Sequence, residues 1–208
     1  MGGVFMKIRI FVWILCVALM ASFLYAADSL LMQRDIAFKT IRLHVVANSD
    51  SAADQQQKLH VRDAVLRSVA ELTAQCGDVR SAREQIAAHI DEISAAACTV
   101  LSKEGSDACV TVSLCDEAFE TRVYDTFTLP AGVYPSLRVR IGAAEGKNWW
   151  CVVFPSLCTA ASTEEFEEAA QSGGFSAQET EVVTGGKRKY RFRFRTLELL
   201  ETVASWFS

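Results

Sequence analysis

Side chains able to do chemistry cluster in one short stretch of the chain, where His44 is followed by Asp50, Asp54 and His60. Imidazole nitrogens and carboxylate oxygens bind zinc, and the same groups act as general acids and bases in hydrolysis. Their spacing matches no zinc signature, and the sequence has no G-x-S-x-G elbow, P-loop, dinucleotide fingerprint or C-x-x-C motif. Catalysis would have to depend on scattered residues, so a metal-dependent hydrolase is kept only as an alternative.

The run from Asn48 to Ser51 is more polar than a helix start requires. Ser51, with Asp54 three residues later, forms a capping-box pattern, in which side-chain oxygens accept hydrogen bonds from free backbone N–H groups. Asn, Ser and Asp are also the residues that turns use. The run therefore has two interpretations: turn and cap chemistry, or a binding surface.

The elements that position this cluster follow from the spacing of apolar residues. Alternation over residues 41–47 is typical of a strand with one core-facing side. Apolar positions three to four residues apart predict a helix from Ser51 to about Cys76 and a second from Ser81 to Gly105. The short turn between them makes a helical hairpin.

Four further runs show strand patterns, at residues 109–116, 121–129, 133–141 and 148–154. We therefore predict an α+β fold, in which the helical hairpin packs on one face of a mostly antiparallel sheet in the order β-α-α-β-β-β-β. A linker and a C-terminal amphipathic helix follow.

The composition excludes several classes of protein. The chain is 50% hydrophobic and 22% charged with three Pro, which argues against a disordered, collagenous or polytopic membrane protein. The formal net charge is −4, and Lys and Arg are scattered before residue 187, so there is no electrostatic footprint for nucleic acid.

The N-terminus has the pattern of an export signal. Lys7 and Arg9 precede an uncharged, mostly apolar run to Ala27. The run is short for a spanning helix and lacks a clean Ala-x-Ala, so residues 1–26 are a cleaved signal peptide or a retained signal anchor. We favour cleavage near Ala26 or Ala27.

Three segments follow the signal. Residues 27–158 form one α+β globular domain, and residues 159–186, rich in Ala, Ser, Thr, Glu and Gly, are predicted to be a flexible linker. Residues 187–208 form the amphipathic helix, whose apolar surface must dock on its own domain, on a partner or on a membrane surface.

Six of the seven cysteines lie beyond the signal, and an even number is compatible with disulfides outside the cytoplasm. Two pairs are excluded because their members lie too far apart in a hairpin or an extended strand: Cys76 with Cys98, and Cys109 with Cys115. We expect Cys151 to pair with Cys158, because Pro155 favours a turn between them. Two buried thiols are the alternative.

Two blocks of sequence resemble the stage II sporulation protein R family of endospore-forming bacteria. The first is residues 41–51 with Asp54, Lys58 and residues 61–63, and the second is residues 129–134 with 148–158, which contains Asn-Trp-Trp-Cys followed by Phe-Pro-x-x-Cys. Departures are Leu129 in place of an aromatic residue, Ser156 in place of a second Pro, and four additional cysteines, which put the disulfide pattern in doubt.

The resemblance implies a signalling protein without catalysis or cofactor of its own. Such a protein is made in the forespore and secreted into the space between the forespore and mother-cell membranes, released there or held by its N-terminal segment. It activates a membrane-embedded aspartic protease that processes pro-sigma-E in the mother cell.

On this interpretation, one exposed surface contacts the outward-facing part of the protease. The residues expected to form it are Asn48, Ser49, Asp50, Asp54, Lys58, Arg62 and Trp150. The alternatives are an exported metal-dependent hydrolase that uses His44 and His60, and a membrane-surface adaptor that uses residues 187–208.

Overall fold

The computed structural model describes residues 2–157 and 163–184 of the chain. In chain order the elements are α1 (Gly2–Phe38), β1 (Ile41–Val46), α2 (Ala52–Thr73), α3 (Val79–Ala88), α4 (Ile90–Lys103), β2 (Val110–Phe119), β3 (Arg122–Val123), β4 (Thr128–Leu129), β5 (Gly132–Ile141), β6 (Asn148–Phe154), α5 (Thr163–Ser172) and α6 (Ala177–Thr184).

The strands form a mixed sheet in the order β2-β5-β1-β6, with β3 and β4 as a separate two-stranded hairpin. Both outer pairings, β2 with β5 and β6 with β1, are antiparallel, whereas β1 and β5 run parallel. After β1 the chain passes through α2, α3 and α4 to the edge strand β2, which runs opposite to β1. It then turns back into β5, and β5 therefore runs parallel to β1. The predicted α+β fold with a mostly antiparallel sheet is confirmed.

The first face of the sheet is buried against α2, α3 and α4. Leu43 and Val45 of β1 and Leu137 and Val139 of β5 share one core with apolar residues of these helices, including Val65 of α2. All five are fully buried, because alternate strand residues point to the same side of a sheet. The predicted packing of the helical hairpin on one sheet face is correct.

The second arm of the hairpin differs from its prediction, since it consists of α3 and α4 rather than one helix. The break falls at His89, whose φ of −118° and ψ of 22° are not helical. The arm also begins earlier than predicted, because the carboxylate of Asp78 accepts a hydrogen bond from the N–H of Ser81 at 2.8 Å. The first arm begins as predicted, with Ser51 accepting from the N–H of Asp54 at 3.1 Å.

The predicted flexible linker over residues 159–186 is wrong for the part that the structure describes, because α5 and α6 occupy most of it. Phe166, Phe175 and Val183 are buried in a second core together with Met32 of α1. Residues 159–186 are polar on average, and that average gives no weight to the few apolar side chains that fill buried positions. The predicted helix at 187–208 lies outside the described residues.

The N-terminal helix α1 has two parts with different surroundings. Its apolar first part is exposed, and the stretch Phe5–Phe38 is long and apolar enough to cross a membrane, a property it shares with signal sequences. Its last turns pack on the domain, where Ser29, Met32 and Ile36 are buried. This apolar N-terminal helix is consistent with a signal peptide or an anchor.

Candidate functional site

The polar cluster after β1 joins two turns of the molecule. Asn48 accepts a hydrogen bond from the N–H of Ala143 at 3.0 Å, and Asp50 accepts one from the N–H of Lys147 at 2.7 Å. Both donors belong to the connection between β5 and β6. The first function of these side chains is therefore to hold the turn after β1 against the turn after β5.

Two glycines make this close approach possible. A Cβ atom on Gly146 would lie 2.2 Å from the backbone oxygen of Ser49, and one on Gly142 would lie 2.2 Å from Oδ1 of Asn48. Gly142 also has a φ of +55°, a left-handed conformation that side chains disfavour. The β5–β6 connection therefore requires glycine at both positions.

Asp54 is held inside the same cluster. Its carboxylate accepts hydrogen bonds from Ser49 and, at 3.0 Å, from Nδ2 of Asn48. These bonds lower the pKa of Asp54 below its usual value, so the group is ionised at neutral pH. This ionised carboxylate holds the turn at Asn48 and Ser49 against the start of α2.

Lys58 belongs to the same cluster, although the sequence places it on a helix surface. The side chain is buried, and its ammonium donates to the backbone oxygen of Lys147 at 2.9 Å and to Gln55 at 2.7 Å. Burial lowers the pKa of Lys58, and the nearby carboxylate of Asp50 opposes that shift. Lys58 therefore stabilises the β5–β6 connection and is not available to a partner.

The remaining two predicted contact residues, Arg62 and Trp150, line an open groove of about 900 Å³. Arg62 lies over the ring of Trp149, 4.5 Å from its centroid, and Arg122 lies over the ring of Trp150 at 3.5 Å. Leu66 and the β3–β4 hairpin complete the lining. The structure thus divides the predicted surface into a polar cluster, whose side chains bond within the domain, and a separate aromatic groove.

The second face of the sheet carries a polar network that the sequence did not predict. Nδ1 of His44 lies 3.0 Å from Glu117, Nε2 lies 3.0 Å from Asn148, and the ring stacks on Trp150. Nε of Arg138 donates to the same carboxylate oxygen of Glu117 at 3.0 Å. Burial raises the pKa of Glu117, but the hydrogen bonds from Arg138 and His44 outweigh it and leave the pKa below its usual value.

Arg42 lies on the side of β1 that the alternation over residues 41–47 directs away from the core, but it is fully buried. Its guanidinium lies over the rings of Phe119 at 4.1 Å and Tyr134 at 5.0 Å, and Nη2 donates to the hydroxyl of Tyr124 at 2.8 Å. Nε and Nη1 have no hydrogen-bond partner within the described residues. Strand alternation correctly places Arg42 opposite the helices, but it carries no information on what covers that face.

The histidines and acids do not assemble as the hydrolase alternative requires. His44 faces away from the helices, whereas His60 belongs to α2 on the opposite side of the sheet and contacts Glu104. Within residues 2–157 and 163–184, no three His, Cys, Asp or Glu side chains are grouped to hold a metal ion. No observation on the described residues favours metal-dependent hydrolysis.

The structure contains neither of the two cysteine pairs that the sequence excludes among the described residues. Cys76, Cys98, Cys109 and Cys115 are all free thiols. Cys151 is buried in β6, and its predicted partner Cys158 lies outside the described residues. The pairing of Cys151 with Cys158 stays a prediction.

The fold and the site define an α+β domain that follows an apolar N-terminal helix and presents a groove lined by arginine and aromatic side chains. The chain belongs to the stage II sporulation protein R family, whose model matches residues 37–164. A curated relative, stage II sporulation protein R of Bacillus subtilis (strain 168), is 38% identical over 120 residues, which are 58% of this chain and 54% of the relative. The match thus spans about half the length of that relative. No solved structure matches the chain significantly.

Proposed function

We propose that this protein is an exported sporulation signal that activates a membrane-embedded aspartic protease, without catalysis of its own, and so leads to processing of pro-sigma-E in the mother cell. Membership of the stage II sporulation protein R family over residues 37–164 is the observation that carries the proposal. The apolar helix α1 supports export into the space between the forespore and mother-cell membranes.

The mechanism that fits a non-catalytic trigger is a shift in a conformational equilibrium. A binding protein shifts its partner only when it binds one state more tightly than the other. We propose that the domain binds the outward-facing part of the protease in the state that brings its cytoplasmic aspartates together. Arg62 and Trp150 are the contact candidates, since Asn48, Asp54 and Lys58 are engaged within the domain.

A reconstituted assay tests this function directly. Pro-sigma-E and the matching membrane protease are expressed in a non-sporulating host, with this protein either exported or kept in the cytoplasm by deletion of residues 1–26. We expect processing only with the exported form. The proposal fails if both forms leave pro-sigma-E unprocessed although all three proteins are present and folded.

The proposed export also predicts the redox state of two cysteines. In the oxidising space outside the cytoplasm we expect Cys151 and Cys158 to form a disulfide. Peptide mass spectrometry of the exported protein under non-reducing conditions should recover the two cysteines as one linked species. Recovery of both as free thiols would contradict the pairing and leave the signalling function untouched.

A further inference from the structure

Two tryptophan rings of the groove each carry an arginine. Trp149 and Trp150 are neighbours in β6, so their rings point to opposite faces of the sheet. The guanidinium of Arg62 lies 4.5 Å from the ring centroid of Trp149, and that of Arg122 lies 3.5 Å from the ring centroid of Trp150. Tryptophan and arginine are among the residues that most often dominate binding energy in protein interfaces.

The two guanidinium groups differ in their polar partners. Arg62 is bonded to its neighbour Asp63, at 2.8 Å from Nε and 2.7 Å from Nη2. The guanidinium of Arg122 makes no hydrogen bond or ion pair with any described residue, including Asp125, the acid of the same hairpin that also lines the groove. Arg122 is therefore a cation in the groove wall whose donors are unused within the described residues.

Stacking on an aromatic ring leaves those donors available. The ring contact occupies the flat face of the guanidinium, whereas its N–H groups lie in the plane and point outward from its edge. A carboxylate is the group that matches this edge best, because it accepts two parallel hydrogen bonds from it. Arg122 is half-buried, so such a pair would be screened less than one at a fully exposed arginine.

The sheet holds this arginine in place through Trp150. The ring of Trp150 also stacks on the ring of His44, with centroids 5.7 Å apart and an angle of 14° between the planes. His44 is fixed in turn by Glu117 and Asn148, each 3.0 Å from one of its ring nitrogens. A receptor group that is already positioned loses little conformational freedom when it binds a ligand.

Apolar side chains adjoin the cation within the same groove. Val123, the next residue after Arg122, is 61% exposed, and Trp149 is 37% exposed. An apolar side chain of a partner would remove both surfaces from water. The groove therefore fits a protein segment that carries a carboxylate close to an apolar side chain.

We propose that Arg122 is the receptor for a carboxylate side chain of the partner protease, and that Val123 and Trp149 bind an apolar side chain beside it. This inference rests on the proposed function, because it names the chemistry of the segment through which the trigger acts.

The first test uses the full chain, exported in the reconstituted assay, with a photo-crosslinking phenylalanine analogue in place of Val123. The matched control carries the same analogue at Val133, which is equally exposed, at 64% against 61%, and lies outside the groove. We expect a cross-link to the protease from position 123 and none from position 133.

Substitutions of Arg122 test the carboxylate contact in the same cells. Arg122→Glu should lower the cross-link from position 123 by roughly tenfold or more, because like charges then face each other. Arg122→Lys should lower it less, since an ammonium keeps the charge but cannot form two parallel bonds to a carboxylate. Arg140→Glu, at an exposed arginine outside the groove, should leave it unchanged. Unaltered thermal unfolding of each variant shows that folding is preserved.

A charge exchange identifies the acidic group on the partner. Acidic residues in the outward-facing segments of the protease are replaced one at a time by lysine, and each variant is combined with Arg122→Glu. We expect one replacement to restore the cross-link with Arg122→Glu and to weaken it with the wild-type protein. Restoration by none of them, or a full cross-link from Arg122→Glu alone, would show that Arg122 does not bind a carboxylate of the protease.

The failure of this inference is distinguishable from the failure of the proposed function. If the wild-type protein triggers processing but position 123 gives no more cross-link to the protease than position 133, the groove is not the contact and the signalling function stands. A cross-link from position 123 only to residues 185–208 of the same chain also overturns the inference. If the wild-type protein triggers no processing, the proposed function fails, and this inference fails with it.

Discussion

Asn48 has a structural role at a position where the sequence suggests a binding residue. Its side chain bonds to Asp54 in one turn and to the backbone of Ala143 in another, and these turns lie nearly a hundred residues apart in the chain. Such a cluster stabilises a connection only while the two backbones stay close. The glycines that permit this approach are therefore as important as the polar side chains.

Gly146→Ala tests that close approach. The new methyl group would meet the backbone oxygen of Ser49 at 2.2 Å, and a backbone atom cannot move aside as a flexible side chain can. We expect the free energy of unfolding to fall by about 1–3 kcal/mol in urea titration. Gly77→Ala is the control, because nothing lies within 4 Å of its Cβ position, and a change of about 0.5 kcal/mol or less is expected there. Equal effects of the two substitutions would contradict the packing at Gly146.

Arg42→Met tests the buried guanidinium. Arg42 is fully buried with no carboxylate partner among the described residues, and removing an uncompensated buried charge at similar volume is often neutral or stabilising. We expect the free energy of unfolding to stay unchanged or rise by up to about 2 kcal/mol. Arg42→Ala should lower it, because a cavity remains and the hydroxyl of Tyr124 loses its donor. A loss above about 1 kcal/mol in Arg42→Met would show that the contacts with Phe119 and Tyr134 outweigh the cost of burial.

At the scale of elements, α1 combines an exposed apolar first part with last turns that belong to the domain. Ile36 is fully buried beside Met32 in the second core, and Ala37 packs with Phe119 and Tyr134. Cleavage near Ala26 or Ala27 would leave these turns in the exported protein. The last part of α1 is therefore a structural element of the domain in either form.

Ile36→Ala and Leu31→Ala distinguish the two sides of this helix. Loss of a buried isoleucine side chain should lower the free energy of unfolding of the exported protein by about 2–4 kcal/mol. Leu31 lies on the exposed side of the same helix, so its replacement should change that free energy by about 0.5 kcal/mol or less. If Ile36→Ala has no more effect than Leu31→Ala, the end of α1 does not pack on the domain in solution.

For the whole molecule, carboxylates with lowered pKa values predict how stability depends on pH. Burial raises the pKa of Glu179, but hydrogen bonds from Lys39 at 2.8 Å and from Ser176 outweigh it, and Glu117, Asp54 and Asp78 also have lowered values. A carboxylate that is more acidic folded than unfolded stabilises the protein above its unfolded pKa, about 4, and loses that contribution as the pH falls through the folded pKa.

Urea midpoints measured from pH 7 to pH 2 should therefore be level down to about pH 5 and fall below about pH 4. Glu179→Gln should weaken that fall, because the variant carries no carboxylate to protonate at this position. Glu167→Gln, on the exposed side of α5, is the matched control and should reproduce the wild-type curve. A midpoint that rises on acidification would contradict the assigned direction of these pKa values.

The sequence by itself determined the features that depend on neighbours along the chain. Alternation identified β1, the serine at position 51 marked the start of α2, and the paired motifs indicated the family. Each of these signals is contained within a short stretch, because capping bonds and strand periodicity join residues only a few positions apart.

Only the tertiary structure decided which distant residues meet. His44 contacts Glu117, Lys39 pairs with Glu179, and Arg122 lies on Trp150, because strand register and the packing of α6 bring these elements together. Local periodicity assigns a residue to a face of its own strand or helix and contains no information on the element that covers that face. For that reason Lys58, expected at the surface, is buried, as is Arg42, and the predicted linker contributes to a core.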